Sequence, residues 1–282
     1  MQIGELPLQA HPLIPAPPSL LPFSSQARPP MTMIRGVRLL AAPCCGARYS
    51  APRYLSMNFS AWAYWTDGWR DSSLMPNDSG LRRCSCGQFI LMKDLVELGT
   101  AGDSELPQID RVPEEQLLEC IKAVTNSAVA IAARLDYWRH LNHPYRIKYC
   151  AHRDAEEAAT EAAWRAANPE RKLPAGVSKR WARKAPQYVR PPNSPFTYPA
   201  FEPTAEQLEN MAQLTVLLQA AKTNALPWGQ ELALAELLRE QSRFDEARAS
   251  LAALSNAPDE SACKIIANMI EAQEPAPMRY RG

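Results

Sequence analysis

Two tight cysteine pairs are the residues best able to do chemistry: Cys44-Cys45 followed by Gly46, and Cys84-Ser85-Cys86 followed by Gly87. Thiolates are soft ligands, and four of them satisfy zinc in a tetrahedron with bonds of about 2.3 Å. A glycine directly after the second cysteine frees the backbone to curl, so that amide groups face the sulfurs. The same turn used twice, about forty residues apart, predicts two facing knuckles that grip one structural zinc through Cys44, Cys45, Cys84 and Cys86. Iron or an iron–sulfur centre also suits four thiolates, and a pair of metal-free, reduced turns is the simpler alternative. Seven cysteines, an odd number, fit metal binding in a reducing compartment better than a disulfide framework.

The run Ala42-Pro43-Cys44-Cys45-Gly46 resembles the knuckles of zinc-ribbon and rubredoxin-like modules, in which Cys-Pro-x-Cys-Gly supplies two ligands. Proline, second cysteine and glycine are kept, but Ala42 stands at the first ligand position. The second knuckle likewise has Arg83 where a ligand is expected, so both knuckles have moved a ligand inward. The resemblance implies a small β-rich module folded around its ion. A closed four-thiolate shell offers no open coordination position of the kind metal-assisted hydrolysis needs.

Other residues invite a functional reading and have a plainer one. Tyr49, Tyr54, Phe59, Trp62, Tyr64, Trp65 and Trp69 lie between the knuckles with Arg48, Arg53, Arg70, Arg82 and Arg83 nearby. They read as the core of a small module packed around a metal, and in the sharper reading as a platform for stacking bases or gripping a peptide. His140, His143, Cys150 and His152 match no metal-ligand spacing and read as loop residues. Cys120 and Cys263 fall on apolar helix faces as small core residues. Basic residues from Arg171 to Arg190, with Trp181 and Tyr188 among them, read as a solvated linker before a nucleic-acid contact. Phosphate-binding loops, nucleophile elbows and His-Glu-x-x-His runs do not occur in the sequence, which shifts the expectation from catalysis toward binding.

The elements that must position these residues follow from periodicity. The chain has 282 residues and a formal net charge of +1, enough for one large or two modest domains and too balanced for wholesale attraction to polyanions. Residues 1–33, rich in proline, read as a disordered extension, and Met31 or Met33 as the natural start. Residues 34–99 read as the cysteine-knuckle module, with strand pieces at Ala47–Tyr49, Ala63–Trp65 and Gln88–Leu91 and turns at Asp67-Gly68, Asn77-Asp78 and Ser79-Gly80. Trp65 to Trp69 reads as the turn between two short strands, and 100–112 as a polar loop.

Within 113–168, apolar residues from Leu117 to Trp138 at three- and four-residue spacing predict one helix starting after Pro113 and stopping near His140. Asn142-His143-Pro144 reads as its stop, and a second helix is expected from Asp154 to Ala167. Residues 169–203 read as a basic, proline-rich linker. Residues 204–274 read as a separate C-terminal helical domain, opened by a capping box at Thr204-Ala205-Glu206-Gln207. In it, Gln230–Leu254 resembles a single tetratricopeptide hairpin, with Ser242 in place of the usual turn glycine. The tail Pro275–Gly282 is expected to be loose.

These readings give an α+β protein: a β-rich, zinc-ribbon-like module, then helices, then a C-terminal tetratricopeptide-like domain. The expected function is that of a cytoplasmic interaction or adaptor protein, with zinc holding the module and the C-terminal helices binding a protein partner. The alternative is a nucleic-acid-binding protein that uses the arginine- and aromatic-rich module with the basic linker. No membrane span is expected, because no stretch approaches the roughly 20 apolar residues that a span requires.

Overall fold

The apolar run Val37–Ala41 is the second half of strand β1 (Met33–Ala41), which pairs antiparallel with β2 (Arg48–Ser56) and β7 (Val96–Ala101) in the order β2-β1-β7. The computed structural model describes residues 33–56, 61–72, 79–169, 187–189, 197–221, 227–254 and 260–281. Pro52 is tolerated because β2 is an edge strand. Between Ile34 and Val37 the register slips in a bulge that contains Gly36 at φ +75°. A Cβ there would sit 2.2 Å from the Ala101 carbonyl oxygen, so only glycine fits.

A second sheet, ordered β4-β3-β8, is built from β3 (Ala63–Trp65), β4 (Arg70–Asp71) and β8 (Arg279–Arg281). The expected turn joins β3 to β4: Gly68 has φ +79°, and the Trp69 amide donates to Asp67 Oδ1 at 2.9 Å. A two-stranded hairpin pairs β5 (Leu81–Arg83) with β6 (Phe89–Leu91). Small antiparallel sheets followed by helices make the α+β class expected above.

The single long helix expected from Pro113 is two helices, α1 (Glu114–Ala123) and α2 (Ser127–Leu141). Asn126 makes the break: its side chain accepts from the amides of Ala128 and Val129 at 2.9 and 3.3 Å, an N-cap that periodicity does not register. The loop expected around the histidines is also corrected. Helix α3 (His143–Ala167) starts at once, because Pro144 falls in its first turn, where a missing amide hydrogen costs nothing. The capping box forms as expected at the head of α4 (Ala205–Ala221): the Gln207 amide donates to Thr204 Oγ1 at 3.1 Å, and the Thr204 amide donates to Gln207 Oε1 at 3.3 Å. Helices α5 (Trp228–Glu240) and α6 (Phe244–Ala252) form a hairpin whose turn holds Ser242 at φ +59°, and α7 (Glu260–Glu271) follows.

The stretches 113–168 and 204–274 share one core. Ile131, Leu135 and Trp138 of α2 pack with Met211, Leu214 and Leu218 of α4, Leu234, Leu237 and Leu238 of α5, and Ile266 and Ile270 of α7. The opposite face of α2 (Val129, Ala132, Ala133, Tyr137) packs with Leu117 and Cys120 of α1 and with Leu81 and Leu91 of the β5–β6 hairpin. Thr32–Gly282 accordingly forms one compact unit. Nor is the tail loose. Ala276 is fully buried, Thr66 and Met278 exchange two 2.9 Å hydrogen bonds, and β8 pairs with β3.

A buried polar joint ties these parts together. The Asp67 carboxylate pairs with the Arg146 guanidinium and accepts from Asn142 Nδ2. The same Nδ2 donates to Glu240, which also accepts from Trp138 Nε1 at 2.7 Å. Expectations for residues 1–33 concern residues outside those described, apart from Met33, which begins β1. Asn77-Asp78 and most of the expected linker, 170–186 and 190–196, also lie outside. Of the remainder, Tyr198 and Phe201 pack against Tyr145 and Tyr149 of α3.

Candidate metal centre

Both knuckles are hairpin tips. The β1–β2 connection closes with the Gly46 amide on the Ala42 carbonyl at 2.8 Å and the Ala42 amide on the Ala47 carbonyl at 2.9 Å. In the β5–β6 connection the Gly87 amide donates to the Cys84 carbonyl at 2.8 Å, and the Cys84 amide donates to the Gln88 carbonyl at 2.8 Å. Gly46 and Gly87 have φ of +74° and +90°, while a Cβ at either would touch nothing within 4 Å. Backbone conformation rather than space therefore demands glycine. Amides turn toward sulfur as the sequence implies: Ala47 N–H reaches Cys45 and Cys86 N–H reaches Cys84.

All four sulfurs lie within 4.8 Å of one another, and this is the only such group of potential ligands among the described residues. Three separations are 3.9 Å for Cys44–Cys45, 3.5 Å for Cys44–Cys86 and 3.4 Å for Cys45–Cys84. A tetrahedron with zinc–sulfur bonds of about 2.3 Å has edges of about 3.8 Å, whereas a disulfide needs about 2.05 Å. All four are free thiols, spaced as the corners of a coordination shell. The inward shift of one ligand in each knuckle has not pulled the sulfurs apart.

The electrostatics favour a cation. Two thiolates 3.5 Å apart repel by about 5 kcal/mol at an effective dielectric of about 20, so without positive charge the group keeps protons. Burial, then hydrogen bonds to Cys84 and Cys86, pushes the Cys44 thiol up to about 12. Burial would raise Cys84 too, but hydrogen bonds from Tyr49 Oη and the Cys86 amide prevail and bring it down to about 6. Cys84 is buried, Cys44 half-buried, and Cys45 and Cys86 are exposed, so one side of the shell faces water.

Tyr49 is the site residue that the sequence reading left among undifferentiated aromatics. Its hydroxyl accepts from the Ser85 amide at 2.8 Å and lies 3.3 Å from Cys84 Sγ and 3.0 Å from Ser85 Oγ. The signal was period two: Ala47, Tyr49 and Ala51, on the strand leaving the first knuckle, all turn toward the small core of Leu40, Ile90 and Leu95. The expectation of large rings packed around the metal is otherwise corrected. Trp65 and Trp69 pack with Tyr145 and Tyr149 of α3, Tyr54 and Trp62 are exposed, Tyr64 is half-buried, and Phe59 lies outside the described residues.

The remaining candidates do not assemble into a site. His140 Nδ1 is 2.8 Å from Glu114, the His143 ring lies 6.5 Å from that of Trp69, and His152 Nε2 is 2.9 Å from Thr197 Oγ1. Cys120 is fully buried, and burial pushes its thiol up to about 12, as befits an unreactive core residue. Comparison with family models, with curated proteins and with solved structures finds no match for the chain.

Proposed function

We propose that this is a cytoplasmic interaction protein, an adaptor, whose β-rich half is held by a structural zinc ion on Cys44, Cys45, Cys84 and Cys86. The observation that carries the metal reading is the near-tetrahedral spacing of four sulfurs from two separate hairpin tips. Zinc fits because it prefers four thiolates, needs no redox partner, and adds folding energy to a module with little core. Four protein ligands complete the shell, which points to a structural rather than a catalytic ion.

The partner-binding reading rests on α4. Its inner face is buried in the bundle, while Leu208, Ala212 and Val216, spaced at i, i+4 and i+8, are exposed on one stripe. That spacing is how an amphipathic helix meets a second protein surface. The one-repeat resemblance of α5 and α6 supports a helical binding scaffold, and no helix among the described residues is long and apolar enough to cross a membrane.

Elemental analysis of the purified full chain tests the metal. About one zinc per chain is expected, lost in a Cys45→Ser/Cys86→Ser variant, and iron or no metal overturns the reading. Cross-linking in cells tests the adaptor: adducts should disappear from a Leu208→Glu/Val216→Glu variant that still melts like wild type. Identical adducts in both would defeat the assignment to α4.

A further inference from the structure

The four cysteines divide by exposure as well as by hairpin tip. Each tip carries one cysteine that faces water, Cys45 on the first and Cys86 on the second, and one that is drawn in, half-buried Cys44 and buried Cys84. Two sulfur contacts cross between the tips: Cys86 lies 3.5 Å from Cys44, and Cys45 lies 3.4 Å from Cys84. Each exposed thiol therefore has a shielded thiol of the opposite hairpin beside it. Within the first tip the sulfurs are 3.9 Å apart, but the two residues are consecutive. Consecutive Cα atoms stand about 3.8 Å apart, below the roughly 4.4–6.8 Å that a disulfide spans. Without a Cys44–Cys45 bridge, oxidation of all four thiols must form two bridges that cross between the hairpins.

An accessible sulfur with a second thiol close behind it is the arrangement that reacts with peroxide and ends in a disulfide rather than in irreversible oxidation. The exposed cysteine meets the oxidant, and the shielded one resolves the product. Here that arrangement occurs twice, once from each tip. A disulfide of about 2.05 Å would take the place of a shell edge of about 3.8 Å. The two hairpin tips would thus stay joined while the ligands of the ion are withdrawn.

We propose that the cysteine cage is a peroxide-responsive switch, which releases its metal by forming the cross-hairpin disulfides Cys44–Cys86 and Cys45–Cys84; the proposal rests on the zinc reading above. The Cys86 thiolate attacks one oxygen of hydrogen peroxide: an S–O bond forms, the O–O bond breaks, and hydroxide leaves. The Cys44 thiolate then attacks the sulfenic sulfur of Cys86, so that the S–S bond forms, the S–O bond breaks, and a second hydroxide leaves. Cys45 and Cys84 repeat both steps with a second peroxide. The four thiolates give up four electrons, the two peroxides take them and become four hydroxides, and the divalent cation departs without its anionic ligands. A dithiol reductant returns the thiolates and lets the ion rebind.

The test is titration of the zinc-loaded full chain with hydrogen peroxide. An indicator dye reads free zinc, and mass spectrometry with backbone cleavage between Cys44 and Cys45 reads the bridges. About two peroxides per chain should free about one zinc and leave the two cross-tip disulfides. Dithiothreitol with added zinc should restore the starting state. At lower doses dimedone, which traps sulfenic acid, should label Cys45 and Cys86 before Cys44 and Cys84. Because cysteine variants can lose the metal, one contrast is made without it. Cys45→Ser/Cys84→Ser keeps the Cys44–Cys86 pair and should close a disulfide under peroxide, whereas Cys84→Ser/Cys86→Ser keeps only the consecutive pair and should not. Zinc retained under excess peroxide would overturn the switch, as would a Cys44–Cys45 bridge, or sulfinic acids at Cys45 and Cys86 without bridges. Zinc is counted before peroxide is added: its absence at that stage is a failure of the metal reading and takes the release with it, whereas zinc present and then retained is a failure of the switch alone.

Discussion

Replacing Asp67 with asparagine should be among the most damaging single-atom changes in this protein. Asp67 is 1% exposed and its partner Arg146 is 4% exposed. Arg146 also donates Nη2 to the Arg139 carbonyl at 2.7 Å and lies 4.6 Å from the Trp69 ring centroid, so it cannot swing out to water. At hydrogen-bond contact and an effective dielectric of about 20, the pair attracts by about 6 kcal/mol. Deleting one partner of such a buried pair typically costs about 3–5 kcal/mol, because the other charge stays desolvated. For a chain of this size the loss corresponds to a melting temperature lower by roughly 6–20 °C. Urea unfolding followed by tryptophan fluorescence reads it directly. The control is Asp67→Asn/Arg146→Met, which removes both charges and should recover more than half of the loss. A loss under about 1 kcal/mol in the single variant would refute the reasoning. So would a double variant no better than the single one, which would place the damage in the turn bonds to Trp69 and Asn142 rather than in the stranded guanidinium.

Three further outcomes follow from the same structure. Zinc uptake at pH 7 should release at least two protons, one from Cys44, pushed up to about 12 chiefly by burial, and one from Cys45. Cys45 is lowered by the Ala47 amide but raised further by its neighbours, whereas Cys84 at about 6 is already mostly thiolate. Calorimetry in buffers of different ionisation enthalpy counts these protons, and fewer than one would contradict the thiol assignments. Glu240 is raised well above the usual carboxylate range, first by burial and then by Glu236. Its contribution to stability is therefore complete below the unfolded carboxyl value of about 4.3 and declines as pH rises through the higher folded value. Glu240→Gln keeps an acceptor for Trp138 Nε1 and should flatten that alkaline decline in melting temperature; an unchanged slope would assign it elsewhere. Truncation after Gln273 removes the Thr66–Met278 bonds and the β8 pairing, and should destabilise the chain by roughly 2–4 kcal/mol in a denaturant titration, whereas a neutral result would mean the tail merely rests on β3.

What could be read from the sequence was what short-range chemistry decides. Glycine after each cysteine pair fixed two left-handed turns, and those turns aim the sulfurs. Thr204 and Gln207 cap α4 through atoms three residues apart, and Asp67-Gly68 turns β3 into β4 within five residues. What could not be read depended on distant partners or on a competing local signal. The apolar spacing from Leu117 to Trp138 runs straight through Asn126, whose side chain claims two amides and splits the helix. Asn142-His143-Pro144 ends one helix and begins the next, and a proline serves either purpose. The tail Pro275–Gly282 carries no strand signal of its own. It becomes a strand because Thr66 offers both a donor and an acceptor to Met278, more than two hundred residues away. The joint of Asp67, Asn142, Arg146 and Glu240 was equally hidden, because isolated polar and charged residues far apart in the chain read as solvated until packing encloses them.

The placement of the cage follows from what the rest of the fold leaves unsupported. A two-stranded hairpin of three-residue strands is marginal by itself, and β5–β6 has apolar support on one side from α1 and α2, through Leu81 and Leu91. Its other side reaches the three-stranded sheet through a modest cluster of Leu40, Tyr49, Ile90 and Leu95. Cysteines at the tips of both hairpins stand where a bound cation would join the two β elements, turning the mutual repulsion of the thiolates into attraction. The helical bundle has no comparable need, since α2, α4, α5 and α7 enclose a continuous apolar core. The four cysteines therefore stand where the packing has the greater need of a cross-link.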